Sequence, residues 1–264
     1  MTPCQICNSV VNEVFTARVL KKYEVKYDFC NTCGYLTARN PFWLEESYSQ
    51  AIADANTGLI IRNILNSRKL ASILYWVLGE RGSEVYADYA GGYGMLTRMM
   101  RDYGFNFYWQ DKFCENKLAI GFEYSPEVGP CKAIVAAEVL EHLEGPATYI
   151  KNIFEETQAQ ILFFTTDLFS GEPPAPESWY YYSFATGQHI GFFQQRTLNI
   201  LAKKLGLYFY SAGNIHAFSK APLNPLMLRF ATNKWIARFS SWFIPRRIGS
   251  KTMSDHRFLS KNGA

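Results

Sequence analysis

One ten-residue stretch, Val85-Tyr86-Ala87-Asp88-Tyr89-Ala90-Gly91-Gly92-Tyr93-Gly94, runs from a strand-like segment into glycines and then into a helical pattern over Met95–Tyr103. Glycines at such a junction let the backbone turn tightly and approach a ligand closely. Seventeen residues after Gly94 the next apolar run, Asn106–Asp111, ends on an acid. A carboxylate at the end of a second strand can accept hydrogen bonds from both hydroxyls of a ribose. The dinucleotide form G-x-G-x-x-G is not met, because Met95, Leu96 and Thr97 follow Gly92-Tyr93-Gly94. Downstream, Lys132–Ala137 reads as a strand, Thr148–Thr157 as a helix and Gln160–Thr165 as a strand. Leu198–Leu205 then reads as a helix and Tyr208–Ala212 as a strand. Strands alternating with helices predict an α/β fold with a doubly wound, mostly parallel sheet, whose ligands sit beyond the carboxyl ends of the strands.

Ahead of this unit stand two CxxC pairs, Cys4/Cys7 and Cys30/Cys33, with 22 residues between them. Each CxxC turn aims two thiolates at one point, and two such turns complete a tetrahedral sulfur set for Zn2+. With all four positions filled by protein, the ion would be structural. A redox CxxC normally opens a helix in a thioredoxin-like unit, and a duplicated pair does not fit that. Cys114 and Cys131 stand alone and read as incidental. The segment boundaries expected are 1–40 for the zinc-binding module, 41–220 for the α/β domain and 221–264 for a basic, aromatic helical tail. The 264 residues, 48% hydrophobic and 16% aromatic, suffice for one full core plus a small module. No leader-like start and no uncharged apolar run of spanning length are visible, so the cytoplasm is the expected compartment.

The central motifs carry a family likeness. DYAGGYG resembles the D-x-G-x-G-x-G turn of class I S-adenosylmethionine-dependent methyltransferases. AIVAAEVLEHL resembles the post-strand segment of those families that read E-V-x-E-H. WYYYSFATGQHIGFF resembles a stretch of zinc-knuckle methyltransferases from sugar and polysaccharide biosynthesis. The likeness spans roughly residues 1–215 and implies a Rossmann-like fold with S-adenosylmethionine as cofactor. Position by position, it implies that Asp88 orients the turn and the methionine end, and that Gly91, Gly92 and Gly94 admit the cofactor. It implies Asp111 on the ribose and Glu138 on the methionine and acceptor side. It places adenine contacts at Phe122 and Glu123, while Arg62 could pair with the cofactor carboxylate. Ala90 stands where the family has a glycine, a change tolerable if its φ is negative.

Methyl transfer from a sulfonium needs alignment and, for a hydroxyl acceptor, a base. His189 in TGQH is the favoured base, with His142 and Glu141 of EVLEH next, while His216 and His256 read as structural or exposed. The aromatics Trp179–Tyr182, after the proline loop Ser170–Ser178, could stack on a sugar. The expected reaction is therefore methylation of a small-molecule or glycan acceptor, at a sugar hydroxyl or carbon. Two alternatives are an RNA methyltransferase with a zinc-knuckle recognition module and an inactive, methyltransferase-like binding protein. The net charge of only +4 argues against nucleic acid. In the tail, Arg229, Lys234 and Arg238 interleave with Phe230, Trp235, Phe239, Trp242 and Phe243. Such a segment can pack on the domain, make peripheral membrane contact through 226–247, or form an RNA-contacting surface. The polar end, Gly249–Ala264, is expected to fray.

Overall fold

Strand by strand, successive side chains face opposite sides of a sheet, and that rule organises this chain. The computed structural model describes residues 3–48 and 57–262. It opens with β1 (Asn12–Val19), β2 (Tyr23–Phe29), β3 (Leu36–Ala38) and one helical turn, α1 (Leu44–Ser47). Next come α2 (Leu59–Trp76), β4 (Val85–Tyr89), α3 (Met95–Asp102), β5 (Asn106–Gln110), β6 (Ala133–Ala137) and α4 (Pro146–Thr157). Then follow β7 (Ile161–Thr165), β8 (Gly191–Phe192), α5 (Gln195–Lys204), β9 (Tyr208–Ala212) and β10 (Ile215–Ser219). Three helices end the chain: α6 (Pro225–Thr232), α7 (Lys234–Ile244) and α8 (Thr252–Asn262).

The main sheet has the order β5-β4-β6-β7-β10-β9. β5, β4, β6 and β7 are parallel to one another. β10 is antiparallel to both β7 and β9. It escaped the sequence reading, and its reversal has a local cause. Only Gly213 and Asn214 separate β9 from β10, and a two-residue hairpin can join antiparallel strands alone. Gly213 supplies the positive φ (66°) that this turn needs.

Both faces of the sheet are covered, as parallel strands require. Ala133 and Val135 of β6, with Ile161 and Phe163 of β7, join Leu70, Ile73 and Leu74 of α2 and Leu228, Ala231 and Ile244 of the tail. Their neighbours Ile134, Ala136, Leu162 and Phe164 face the other way, against Ile150, Ile153 and Phe154 of α4 and Leu198 and Leu201 of α5. The aromatic part of the tail, 226–244, is two helices rather than one continuous stretch. Asn233 leaves the helical region and its side chain accepts from Trp235 N, capping a new helix. One face of the tail packs: Trp76 Nε1 donates to Ser240 Oγ, which donates to Ser72 Oγ. The end does not fray as expected but forms α8 through residue 262; residues 263–264 lie outside the described residues.

The front of the chain builds a second sheet, β1-β2-β3-β8. Its last strand comes from residues 191–192, so residues 1–40 do not close a core by themselves. Val25, Tyr27, Phe29 and Leu36 share theirs with Phe169, Tyr181, Tyr182, Ile190 and Phe192. The cysteine end docks on α5, where Thr197 Oγ1 donates to the Cys33 carbonyl and Lys204 Nζ to that of Ile6.

Candidate active site

The carboxyl ends of β4, β5, β6 and β7 open on one cavity of about 1230 Å3. That exceeds the usual span of about 300–1000 Å3 for one bound small molecule. At one end lie Asp88, Ala90, Gly91, Gly92 and Asp111; at the other, Glu138, His142, Tyr181 and His189. Arg62 of α2 and Asn214 of the β9–β10 turn also line it.

The glycine turn is tied to β5 from both sides. Gly91 N donates to the Gln110 carbonyl, and Trp109 Nε1 donates to the Gly92 carbonyl at 2.8 Å. Asp111 accepts from Gly92 N at 2.9 Å and, through its other oxygen, from Phe113 N and Cys114 N. The carboxylate proposed for a ribose therefore also holds the turn and the start of the 112–114 loop. A Cβ on Gly91 would lie 2.9 Å from Asp88 Oδ2 and 2.8 Å from Trp109. Gly94 plays another part than the sequence suggested. It is not in the cavity wall, and its missing Cβ makes room for Asn116 and Ala119 of the chain's own loop.

Ala90 also departs from expectation. Its φ is +56°, not negative, and a left-handed alanine costs roughly 1–2 kcal/mol. Ala90→Gly is expected to raise stability by about 1 kcal/mol, seen as a Tm rise of about 2–4 °C for a chain of this size. An unchanged or lowered Tm would show that the turn carries no strain.

Phe122 and Glu123 do not reach the cavity. Phe122 is buried beneath the Arg101 guanidinium, 3.6 Å from its ring centroid. Glu123 accepts from Asn116 Nδ2 and Gly121 N. Lys112, Phe113, Cys114 and Leu118 line the wall beside Asp111 instead.

Asp88 is 2% exposed and accepts from Thr97 Oγ1 at 3.1 Å. Burial, with Asp111 adding repulsion, pushes its carboxyl up to about 7. A folded-state value above the unfolded one means that the folded chain holds this proton more tightly. The associated stability is present below about pH 4 and is lost as pH rises through about 7. Asp88→Asn is expected to flatten this part of the profile in cofactor-free protein. The gain should be a few kcal/mol at pH 8 and close to zero at pH 3.5, read from urea unfolding at both pH values. A gain of equal size at both would point to packing instead.

At the far end, Glu138 sits at the tip of β6 with φ +56°. Thr165 Oγ1 holds it by donating to Oε1 at 2.5 Å and accepting its backbone N–H. Non-glycine residues fixed in this region cluster at functional sites. Three residues on, Glu141 is fully buried and not in the cavity wall. Tyr181 Oη donates to its Oε1 at 2.7 Å, while Oε2 has no hydrogen-bond partner among the described residues. Burial, then repulsion from Glu138, pushes Glu141 up to about 8. His142 Nδ1 lies 2.9 Å from the Tyr48 hydroxyl. Its ring meets that of His189 edge-on at 4.7 Å. Burial pushes His142 down to about 3 and His189 down to about 4. His189 Nδ1 lies 2.6 Å from the Tyr181 carbonyl, which only accepts, so Nδ1 carries the hydrogen and Nε2 the lone pair.

The three sequence candidates for proton handling are thus brought together, and Tyr48 and Tyr181 join them. Tyr181 stood out in sequence only as one of a run of aromatics; Tyr180–Tyr182 is a helical turn, not an alternating strand. Tyr180 is 80% exposed and donates to Asp167. His216 is buried between Ser211 and the Thr166 carbonyl, and His256 is exposed. At the front of the chain the four cysteine sulfurs lie within 4.8 Å of one another, with Cys4–Cys33 at 3.5 Å and Cys7–Cys30 at 3.4 Å.

A methyltransferase-domain family matches residues 66–212, more than half of the chain. No curated protein matches. Among solved structures, the chain is similar to an O-methyltransferase family 2 protein from Planctomyces limnophilus in complex with apigenin. The identity is 14%, with 68% of this chain and 66% of that one covered and a TM-score of 0.44. It is similar to magnesium protoporphyrin IX methyltransferase from Synechocystis with bound S-adenosylhomocysteine: 11% identity, 68% and 97% covered, TM-score 0.42. It is also similar to an O-methyltransferase family protein from Burkholderia thailandensis: 11% identity, 60% and 55% covered, TM-score 0.42. The chain spans just under two thirds of the first of these proteins and about half of the third. From the family match over 66–212, which holds the glycine turn and the Glu141–His142–His189 cluster alike, the chain belongs to the methyltransferase-domain family and is an enzyme of that kind.

Proposed function

We propose that the chain transfers the methyl group of S-adenosylmethionine to a small-molecule or glycan acceptor, at a sugar hydroxyl or carbon. The observation that carries this reading is the single cavity with two chemically distinct ends. The Gly91–Gly92 turn and Asp111 offer close backbone approach and carboxylate lone pairs to a nucleoside. Glu138 and Arg62 line the same cavity and act on one another, and in this reading they hold the methionine group and its carboxylate. The cavity volume leaves room for a second molecule of sugar size beside the cofactor.

For a hydroxyl acceptor, His189 is the proton acceptor in this reading. Its Nε2 lone pair is set by the hydrogen bond on Nδ1, and burial keeps the ring neutral at pH 7. His142 and buried Glu141 act behind it, through Tyr48 and Tyr181. In the same reading Zn2+ sits on Cys4, Cys7, Cys30 and Cys33. Zinc–sulfur bonds of about 2.3 Å set tetrahedral sulfur separations of about 3.8 Å, close to the shortest ones found here. The ion would be structural, holding the front sheet against α5.

Calorimetry on zinc-loaded protein tests the root of this proposal, with S-adenosylmethionine binding at micromolar Kd expected. Folded protein that ignores the cofactor would sink it. Methyl transfer to a panel of nucleotide sugars, against total RNA, then tests the acceptor class; transfer to RNA alone would overturn the sugar assignment.

A further inference from the structure

Glu141, His142 and His189 each offer one ligand atom, and those atoms lie within 4.8 Å of one another. Three further observations concern what this cluster lacks. Among the described residues, Glu141 Oε2 is a fully buried carboxyl oxygen with no hydrogen-bond partner, so its desolvation is not offset. His189 is held by Nδ1–H on a backbone carbonyl with Nε2 left as a lone pair, the arrangement that typically orients a metal-ligating imidazole. His142 Nδ1 lies 2.9 Å from the Tyr48 hydroxyl, the Gln188 backbone also hydrogen-bonds the ring, and Nε2 stands 3.9 Å from Glu141 Oε1. Glu138 is near enough to act on Glu141, so two carboxyl groups and two imidazoles converge.

We propose that Glu141, His142 and His189 form a second metal site, taking a divalent first-row transition ion such as Zn2+, Mn2+ or Co2+. Two imidazoles and one carboxylate are the donor set of open, three-ligand sites for such ions. Metal–ligand bonds of about 2.1 Å require tetrahedral ligand separations of about 3.4 Å, so the cluster closes by up to about 1.4 Å on loading. The positions left open face the cavity, since His142 and His189 line its wall. Binding of the ion does not depend on the methyl-transfer reading; its use does. In that use an acceptor hydroxyl enters an open position and becomes more acidic. Its O–H bond breaks with the proton passing to solvent, the O–CH3 bond forms, and the sulfonium C–S bond breaks to leave a thioether. His189 is then a ligand in place of a base.

Cobalt loading of the full chain tests this. Two Co2+ per chain are expected, one with the intense thiolate charge-transfer band of the cysteine site and one with weak d–d bands only. The His142→Ala/His189→Ala variant should keep the first and lose the second. One Co2+ per wild-type chain overturns the proposal without any variant, as does a second ion that persists in a folded double variant. Calorimetry with S-adenosylmethionine on the same samples separates the two readings. Two ions without cofactor binding defeat methyl transfer alone, and one ion with cofactor binding defeats the metal site alone.

A separate observation concerns the outer face of the tail. Trp235, Phe239 and Trp242 recur at i, i+4 and i+7 of α7 and are 66%, 50% and 55% exposed. Exposed Leu226 and Phe230 of α6 extend the apolar surface. From Ser178 to Ser254 the sequence holds ten Lys and Arg and no Asp or Glu, so the modest net charge hides a strongly basic stretch. Lys234 lies over Trp235 and Arg246 over Trp242, with Arg238 and Arg247 exposed nearby. We infer that this face docks on an anionic lipid bilayer. Aromatic rings beside cations suit the headgroup boundary, and the charge is complementary. Among the described residues no helix is long and apolar enough to cross a membrane, so the contact is peripheral. Full-length protein should sediment with vesicles of phosphatidylglycerol and phosphatidylcholine and not with phosphatidylcholine alone. Trp235→Ala/Phe239→Ala/Trp242→Ala should weaken this at least tenfold. Absence of vesicle binding overturns the inference, and so does single-stranded RNA binding that needs the same three residues while vesicles are ignored.

Discussion

His189→Ala is expected to leave S-adenosylmethionine binding within about twofold of wild type and to lower kcat by about 10²–10⁴. The split follows from position. His189 lines the end of the cavity away from the glycine turn, so its loss removes no contact to the nucleoside. What is lost is an imidazole whose Nε2 lone pair is fixed by the Tyr181 carbonyl. Burial holds that ring down to about 4, so it stays unprotonated through the neutral range. The acidic limb of the wild-type rate profile should therefore fall well below pH 6.5, where an exposed histidine would place it. Single-turnover rates and calorimetric Kd values, measured on the same preparations, check both halves. Turnover within tenfold of wild type would remove His189 from the chemistry; a large loss of cofactor affinity would place it elsewhere in the site.

The largest expected effect on stability lies away from the cavity, at Asp255. This carboxylate on α8 accepts from Arg101 Nε at 2.7 Å and from Arg101 Nη2 at 2.8 Å, and Arg98 adds a third bond. The Arg101 and Asp255 side chains are each only 6% exposed. Arg101 also donates to the Phe107 carbonyl and lies over the Phe122 ring. Asp255→Ala removes the counter-charge and leaves the guanidinium buried, at a cost of about 3–5 kcal/mol. Arg101→Met/Asp255→Ala together should cost less than Asp255→Ala alone, because no charge is then stranded. Burial alone would raise the Asp255 carboxyl, but its bonds to Arg101 and Arg98 hold it below the ordinary range. Its contribution is therefore present above about pH 4 and is lost as pH falls through the lowered value. Urea unfolding at pH 7 and pH 3 reads all of this; a loss under 1 kcal/mol at pH 7 would show that the pair is not structural.

The parts of this chain that were legible in sequence are those governed by local rules. β4, β5, β6, β7 and β9 lie within a residue or so of their expected bounds, because each is an apolar run cut off by turn residues. The spacing of Cys4, Cys7, Cys30 and Cys33 was enough to expect their convergence. Hidden features depended on distant partners. β3 and β8 have only three and two residues, and β8 is a strand only because it pairs with β3 across the chain. Nothing near Tyr48 announces that it orients His142, or near Thr165 that it clamps Glu138. Phe122 and Glu123 were misplaced for a related reason. Their segment joins the sheet edge through an isolated bridge at Trp109–Glu123, and Phe258 of α8 lies against Phe122.

The pairing of β3 with β8 sets an order of events during synthesis. Thr37 reaches the Ile190 carbonyl across 153 residues, and Ala38 N donates to the same carbonyl. The front strands therefore leave the ribosome long before the segment that completes their sheet. Until then Tyr27, Phe29 and Leu36 lack the cover that Phe169, Tyr181, Tyr182 and Phe192 give them, a condition that invites trapping during folding. An ion captured early by the four cysteines would hold that end together through the wait. The segment that finally arrives also carries His189, so the last long-range pairing of the front sheet and the final setting of the histidine occur in one step.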